Sequence, residues 1–200
     1  MASRQGGGPT TRRLEALTDG IYAIAMTILI LNLRAPGAPI TVEALTRALA
    51  RISGLYVDFG ISFLLLAFFW VVHHRQFEHI ERVDGTLLWI NIISLMLVAT
   101  IPFTTSIYGG YRQLTPAAWL LEGNILVLGL VEYFQWAYAT SGHRLVAADL
   151  DPRHIAMARR ASLIVPLVSL VAMAAAIDVP AYSTAVYLMV PLLWVALSRR

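Results

Sequence analysis

The chain has 200 residues, of which 58% are hydrophobic and only 14% charged, and its mean hydropathy is +0.68. Soluble domains carry about 45–50% apolar and about 25% charged residues, and disorder needs low hydrophobicity, so both classes are excluded. With no cysteine there are no disulfides, thiolate metal sites or thiol nucleophiles. All fifteen basic residues are arginines, a sparse charge that suits the loops of an integral membrane protein rather than a nucleic-acid surface.

A spanning helix needs about 20 mostly apolar residues, and charged residues divide the chain into six such intervals. Residues 1–12, with Gly6-Gly7-Gly8, read as a disordered cytoplasmic tail, and residues 13–200 as one transmembrane domain. The first span runs from about Glu15 to Leu33, closed by Arg34, Pro36, Gly37 and Pro39. Thr41–Arg51 reads as a short amphipathic helix at the membrane surface. The second span follows Arg51, carries Asp58 in its first turns and ends near His73. The third occupies the uncharged interval Gly85–Tyr111. The fourth lies between Arg112 and His143, opens at Thr115-Pro116 as proline allows, and carries Glu122 and Glu132. The fifth is Ala161–Ile177 and the sixth Val179–Ser198, separated by Asp178-Val179-Pro180. The fold class is all-α, with six transmembrane helices per subunit.

Arginine placement orients the bundle. With a cytoplasmic N-terminus, the inside holds Arg4, Arg12, Arg13, Arg75, Arg82, Arg144, Arg153, Arg159, Arg160, Arg199 and Arg200, and the outside holds Arg34, Arg47, Arg51 and Arg112. That bias satisfies the positive-inside rule with both termini cytoplasmic. Reading the first span as a cleaved signal peptide would flip the other five against it, and Asp19, Thr27 and Asn32 sit poorly in such a segment.

The first span is short. Its uncharged stretch Gly20–Leu33 covers about 21 Å at the helical rise, against about 30 Å of hydrocarbon. Asp19 therefore lies at or inside the membrane boundary, either held there by a hydrogen bond or forming part of a conduction path. Ile24, Thr27, Ile28 and Leu31 share a stripe about 100° wide from which Asp19 is excluded. On periodicity alone, such a stripe is more often lipid-facing or core than a pore wall, and its threonine hydroxyl commonly bonds its own backbone.

Arg13-Leu14-Glu15-Ala16-Leu17-Thr18-Asp19 resembles the Arg-x-x-x-Phe-Ser-Asp motif of the transmembrane protein 175 family of potassium channels. Ala23-Ile24-Ala25-Met26-Thr27-Ile28-Leu29 also resembles that family's first helix. Phe69-Trp70-Val71-Val72-His73-His74-Arg75 is similar to the end of its second. Leu87-Leu88-Trp89-Ile90-Asn91 and Ile101-Pro102-Phe103-Thr104-Thr105-Ser106 resemble its third. The likeness covers residues 12–110 in order, with Leu17 and Thr18 replacing the motif's phenylalanine and serine.

The resemblance implies a potassium-selective leak channel of the bacterial inner membrane, a homotetramer whose first helices line a central pore. No TVGYG filter occurs in the sequence. By distance from the motif aspartate, the resemblance puts Ile24 at the narrowest ring, with Ile28 and Leu31 forming further apolar rings and Thr27 the layer tied to potassium preference. Arg13, Thr18, Asp19, Trp70, His73 and His74 then form a network that fixes helix positions. Potassium is the permeant ion, the partners are lipids and sister subunits, and no cofactor, enzyme activity or nucleic acid is expected. The alternative is a secondary transporter or proton/cation exchanger using intramembrane carboxylates.

Three further features remain. His73, His74, Glu78 and His79 are the densest set of metal-type side chains, but lack a zincin arrangement; histidines also suit a helix C-terminus. Glu122 and Glu132 lie about 280° apart around their helix and so make no carboxylate pair, although Glu132 can bridge helices or subunits. Trp70, Trp89, Trp119, Trp136 and Trp194 fall mostly near span ends, as an interfacial belt would place them.

Overall fold

The structure, a computed structural model of one chain, describes residues 11–33, 37 and 41–198, without the side chains of Arg51 and Ser198. Of the expected tail at 1–12, residues 1–10 lie outside the described residues, as do Arg34, Pro36, Pro39, Arg199 and Arg200, while Thr11 and Arg12 already belong to the first helix. Among the described residues seven α-helices form the frame: α1 (Thr11–Ile28), α2 (Val42–Phe77), α3 (Gly85–Gly110), α4 (Thr115–Thr140), α5 (Pro152–Ser162), α6 (Ile164–Ala175) and α7 (Val190–Ser198). Among the described residues, six spans are long and apolar enough to cross a membrane: Thr11–Asn32, Ile52–Phe77, Gly85–Gly110, Thr115–His143, Pro152–Ala175 and Pro180–Leu197.

Side chains start the helices where the sequence offers acceptors. Asp84 caps α3 by accepting from the Leu87 N–H at 2.8 Å, Thr41 caps α2 at Ala44, and Asp151 caps α5 ahead of Pro152. Such a cap satisfies one of the donors a helix leaves open at its start. The Asp84 carboxyl also accepts from Tyr138 at 2.6 Å. Its partial burial raises the pKa, but the Leu87 and Tyr138 hydrogen bonds and the charge of Arg144 together outweigh that and hold it below the usual carboxylate range.

Three sequence expectations change. The surface helix expected at Thr41–Arg51 is not separate: α2 is continuous over 36 residues. No glycine or proline lies between Thr41 and Ile52 to break it, and the first turns prolong the span beyond the bundle. The fifth span starts at Pro152 rather than Ala161, because Arg153, Arg159 and Arg160 ride the first turns of its helix instead of preceding it. The sixth is not a single α-helix, since Pro180–Met189 is 3-10 and only then does α7 begin. At about 2.0 Å per residue instead of about 1.5 Å, the 3-10 segment stretches a short sequence to a little over 30 Å, enough to cross the hydrocarbon.

α1 is clasped by α2 and α3; α3 packs in turn on α4 and α2 on the 3-10 segment Pro180–Met189, while α6 and α7 close the far side. The main core joins Tyr22 and Ala25 of α1, and Leu29 just past its end, to Leu66, Val98, Ile125 and Val168. A second cluster around Leu14, Phe77, Leu87 and Trp136 seals the arginine-rich end. Trp136 is fully buried, with its indole N–H on the Ile155 carbonyl at 3.3 Å, so it belongs to this core and not to an interfacial belt. Glycine permits close approach at three places: a Cβ would lie 2.8 Å from the Pro166 ring at Gly129, 2.7 Å from Leu55 at Gly109, and 1.6 Å from a guanidinium nitrogen of Arg112 at Gly54.

Candidate pore helix and the network behind it

The helix α1 has two unlike faces. Leu14, Thr18, Tyr22, Ala25 and Leu29, spaced by three or four residues, are all buried. On the other side lie Ile24 at 58% exposure, Thr27, Ile28 at 43% and Leu31 at 70%, with Leu31 in the 3-10 turn Leu29–Asn32 that continues the helix. The stripe singled out from periodicity is therefore an uncovered surface of the chain's first span. The Thr27 hydroxyl donates to the Ile24 carbonyl at 2.8 Å, so its proton is committed to the backbone and only its lone pairs remain available.

Polar bonds fasten α1 from behind at both ends. Near its start, the Trp70 indole N–H donates to the Asp19 carboxylate at 2.8 Å, and His74 stacks on Trp70 with ring centroids 5.5 Å apart. Asn91 of α3 is the hub: its amide N–H donates to the Thr18 hydroxyl at 3.3 Å, and its carbonyl oxygen lies 2.8 Å from His73 Nε2. Because that oxygen only accepts, His73 Nε2 carries the proton. Phe77 stacks on the other side of the His73 ring at 4.1 Å. At the opposite end, the Asn32 amide donates to the Pro102 carbonyl at 3.0 Å. Two further bonds tie α2 to its neighbours at that end: Ser62 with Thr105 at 2.9 Å, and the buried Asp58 with Arg112 at 3.2 Å.

The side chains picked out from sequence thus divide. Thr18, Asp19, Trp70, His73 and His74 gather behind α1, whereas Arg13 is exposed and has no ion-pair partner among the described residues. His74 also faces Glu78 at 3.7 Å. Among the described residues no group of three or more metal-type side chains converges, so the His73–His79 segment has no metal geometry. Asn91 had appeared only as part of a motif; its bridging role, and the pairings Asp58–Arg112 and Ser94–Glu132, were not read from the sequence. The available signal was polar residues at helical spacing, Asn91 and Ser94, inside an otherwise apolar span. The Ser94 hydroxyl donates to Glu132, so Glu132 bridges α4 to α3 within the subunit. Glu122 is fully buried, with the Ser183 hydroxyl of the 3-10 segment beside its carboxyl group.

Six candidate spans, a first span fastened from behind and an apolar face left bare define a helical membrane protein with one uncovered helix face. The family of the endosomal/lysosomal potassium channel TMEM175 matches residues 13–102. A protein of Streptomyces collinus named as a potassium channel is 33% identical over 157 residues, covering 76% of this chain and 73% of that one. Another so named, from Chamaesiphon minutus, is 34% identical, with 72% of each chain covered. The chain belongs to the TMEM175 family. Its fold superposes on the crystal structure of a TMEM175 homologue from Chamaesiphon minutus, described as a lysosomal potassium-selective channel, with a TM-score of 0.81. That match has 28% identity over 95% of this chain and 98% of the other.

Proposed function

We propose that this protein is a potassium-selective leak channel in which four copies surround a pore lined by the bare face of α1. One observation carries the reading: Ile24, Thr27, Ile28 and Leu31 form the exposed stripe of a helix whose other face is locked to α2 and α3. Ala16, Gly20 and Ala23 flank the stripe and are also exposed, and small residues let neighbouring helices approach closely.

Ile24 rings make the constriction, with Ile28 and Leu31 as further apolar layers. Alkyl walls give an ion no oxygen ligands, so a narrow ring blocks by dewetting and conducts when it widens enough to hold water. Potassium sheds hydration more readily than the smaller sodium ion, so a step requiring partial dehydration favours it. The four Thr27 hydroxyls, whose protons are held by Ile24 carbonyls, present lone pairs to the ion. Discrimination is weaker than that of stacked backbone carbonyls. Thr18, Asp19, Trp70, His73, His74 and Asn91 position the pore helix and do not touch the ion.

Both termini are cytoplasmic in a bacterial inner membrane, a topology supported by the arginine bias. Glu122 and Glu132 are buried inside the subunit, away from the bare face of α1, which speaks against transport coupled to these carboxylates. Proteoliposomes of the purified protein test the reading. Potassium efflux exceeding sodium efflux, without solute coupling, is expected; saturable exchange coupled to protons or sodium would overturn it. For topology, a single cysteine at position 5 should be labelled only from the cytoplasmic side of intact cells.

A further inference from the structure

At the arginine-rich end, away from α1, a partly enclosed cavity of about 210 Å³ opens between the end of α2, the start of α5 and the end of α7. Trp136, Met157, Trp194 and Leu197 supply its apolar wall. Two polar groups give it chemistry. Gln76, only 4% exposed, lines the cavity, and its Oε1 has no hydrogen-bond partner. The orientation of its amide follows from its neighbour. Ser162 donates its one hydroxyl proton to the Ala158 carbonyl at 2.9 Å, so it must accept from Gln76 Nε2, 3.0 Å away. The unsatisfied acceptor is thus the Oε1 of a residue that lines the cavity, and a buried acceptor without a donor is costly. At the rim, Arg75 lies over the Trp194 ring, 4.5 Å from its centroid, and has no carboxylate partner among the described residues.

We propose that this cavity is a binding site for a polyol phosphate ester, with phosphate on Arg75 and a hydroxyl donating to Gln76 Oε1. A guanidinium held flat against an indole keeps its edge donors free for a bidentate phosphate contact. Gln76 needs a donor, which a bare phosphate diester or a choline headgroup lacks and a glycerol headgroup supplies. The site lies where the spans end, at headgroup depth, and its apolar wall suits the first carbons of an acyl chain. Glu78 also lines the cavity and faces His74 at 3.7 Å. His79 and His154 meet edge to face at 4.6 Å within the lining and add donors without a fixed negative charge. The same ester chemistry exists in a phosphatidylglycerol headgroup and in free glycerol phosphate.

Calorimetric titration of the purified full-length protein in detergent tests the site with short-chain phosphatidylglycerol, its phosphatidylmethanol analogue, phosphatidylcholine and sn-glycerol 3-phosphate. Phosphatidylglycerol should bind once per subunit and about tenfold more tightly than phosphatidylmethanol, which has the same charge but no hydroxyl. Arg75→Gln should weaken both anionic lipids. Gln76→Met should erase the difference between them while keeping phosphate binding. This variant strands no donor, because Ser162 still donates to Ala158. Arg160→Gln, an exposed arginine outside the cavity, should change neither. Binding of the lipid alone assigns the headgroup as the source, whereas comparable binding of free glycerol phosphate assigns a soluble ester; both support the site. Equal affinity for phosphatidylglycerol and phosphatidylmethanol, equal affinity for phosphatidylcholine, or matching losses from Arg75→Gln and Arg160→Gln would overturn it.

Discussion

The two faces of α1 obey opposite rules. The back carries the Thr18 hydroxyl, bonded to the Asn91 amide, and the Tyr22 ring beside that of His73, with the Asp19 carboxylate at its edge on the Trp70 indole. The front is nearly all aliphatic and meets nothing in the subunit. In water that distribution would be inside out. In a membrane an exposed isoleucine costs nothing, while an unpaired polar group costs several kcal/mol, so polar contacts set the rotation of the helix. The lesson is that the bare face is defined by what holds the other one.

Changing the front should alter conduction and leave the fold intact. Ile24→Asn exchanges a branched alkyl group for an amide of similar size, so it changes wetting more than width. Potassium flux should rise about tenfold or more, a barrier lowered by about 1.4 kcal/mol or more. Unchanged flux in a properly assembled variant would remove Ile24 from the pore and sink the proposed mechanism.

Changing the back should do the reverse. Asn91→Leu leaves the Thr18 hydroxyl and the His73 N–H without their partner in a site of 0% exposure. A loss of about 2–4 kcal/mol is expected at the usual cost of orphaned buried groups. It should appear as a lower melting temperature in detergent and reduced assembly, whereas ion preference in the surviving channels should hold. Asp19→Asn should be milder, because an amide oxygen still accepts from Trp70.

Thr27→Val sharpens the contrast from the front. The hydroxyl bonds only its own backbone, so stability should stay within about 0.5 kcal/mol, while potassium-over-sodium preference in reversal-potential measurements falls. A variant with unaltered preference would mean that the Thr27 lone pairs never meet the ion.

The smallest effect should come from Asp84, whose cap starts α3 two turns before Asn91. Its folded-state pKa lies below the unfolded value, so its contribution is present above the unfolded pKa and is lost as pH falls through the folded one. Asn also caps helices well, so Asp84→Asn isolates the charge. Wild type should exceed the variant in melting temperature by a small margin at neutral pH, and the margin should close below about pH 4. A margin that widens in acid would mean that the charge is not what stabilises the cap.

Hydropathy and arginine placement marked out six spans, and the uncharged interval at 85–111 matches α3 almost to the residue. That was possible because lipid imposes a length and a polarity on each span separately. The same reading failed where a boundary depends on neighbours. Arg153, Arg159 and Arg160 looked like loop residues, yet Arg159 reaches back to donate to Thr140 at 3.1 Å and its helix continues through them. The 3-10 geometry of Pro180–Met189 left no signature in periodicity.

The stripe of Ile24, Thr27, Ile28 and Leu31 was written in the sequence, because helical spacing alone puts those side chains on one side. Whether that side was buried or bare was not written there. An aliphatic stripe fits a core, lipid or a pore equally well, and hydrophobicity carries no direction once both surroundings are apolar. The tertiary structure decided it through Asn91, Trp70 and Asn32 partners that lie as many as 73 residues from the groups they hold. Hydrogen bonds have direction and hydrophobic contacts do not, so the few buried polar atoms determine which way the first helix turns.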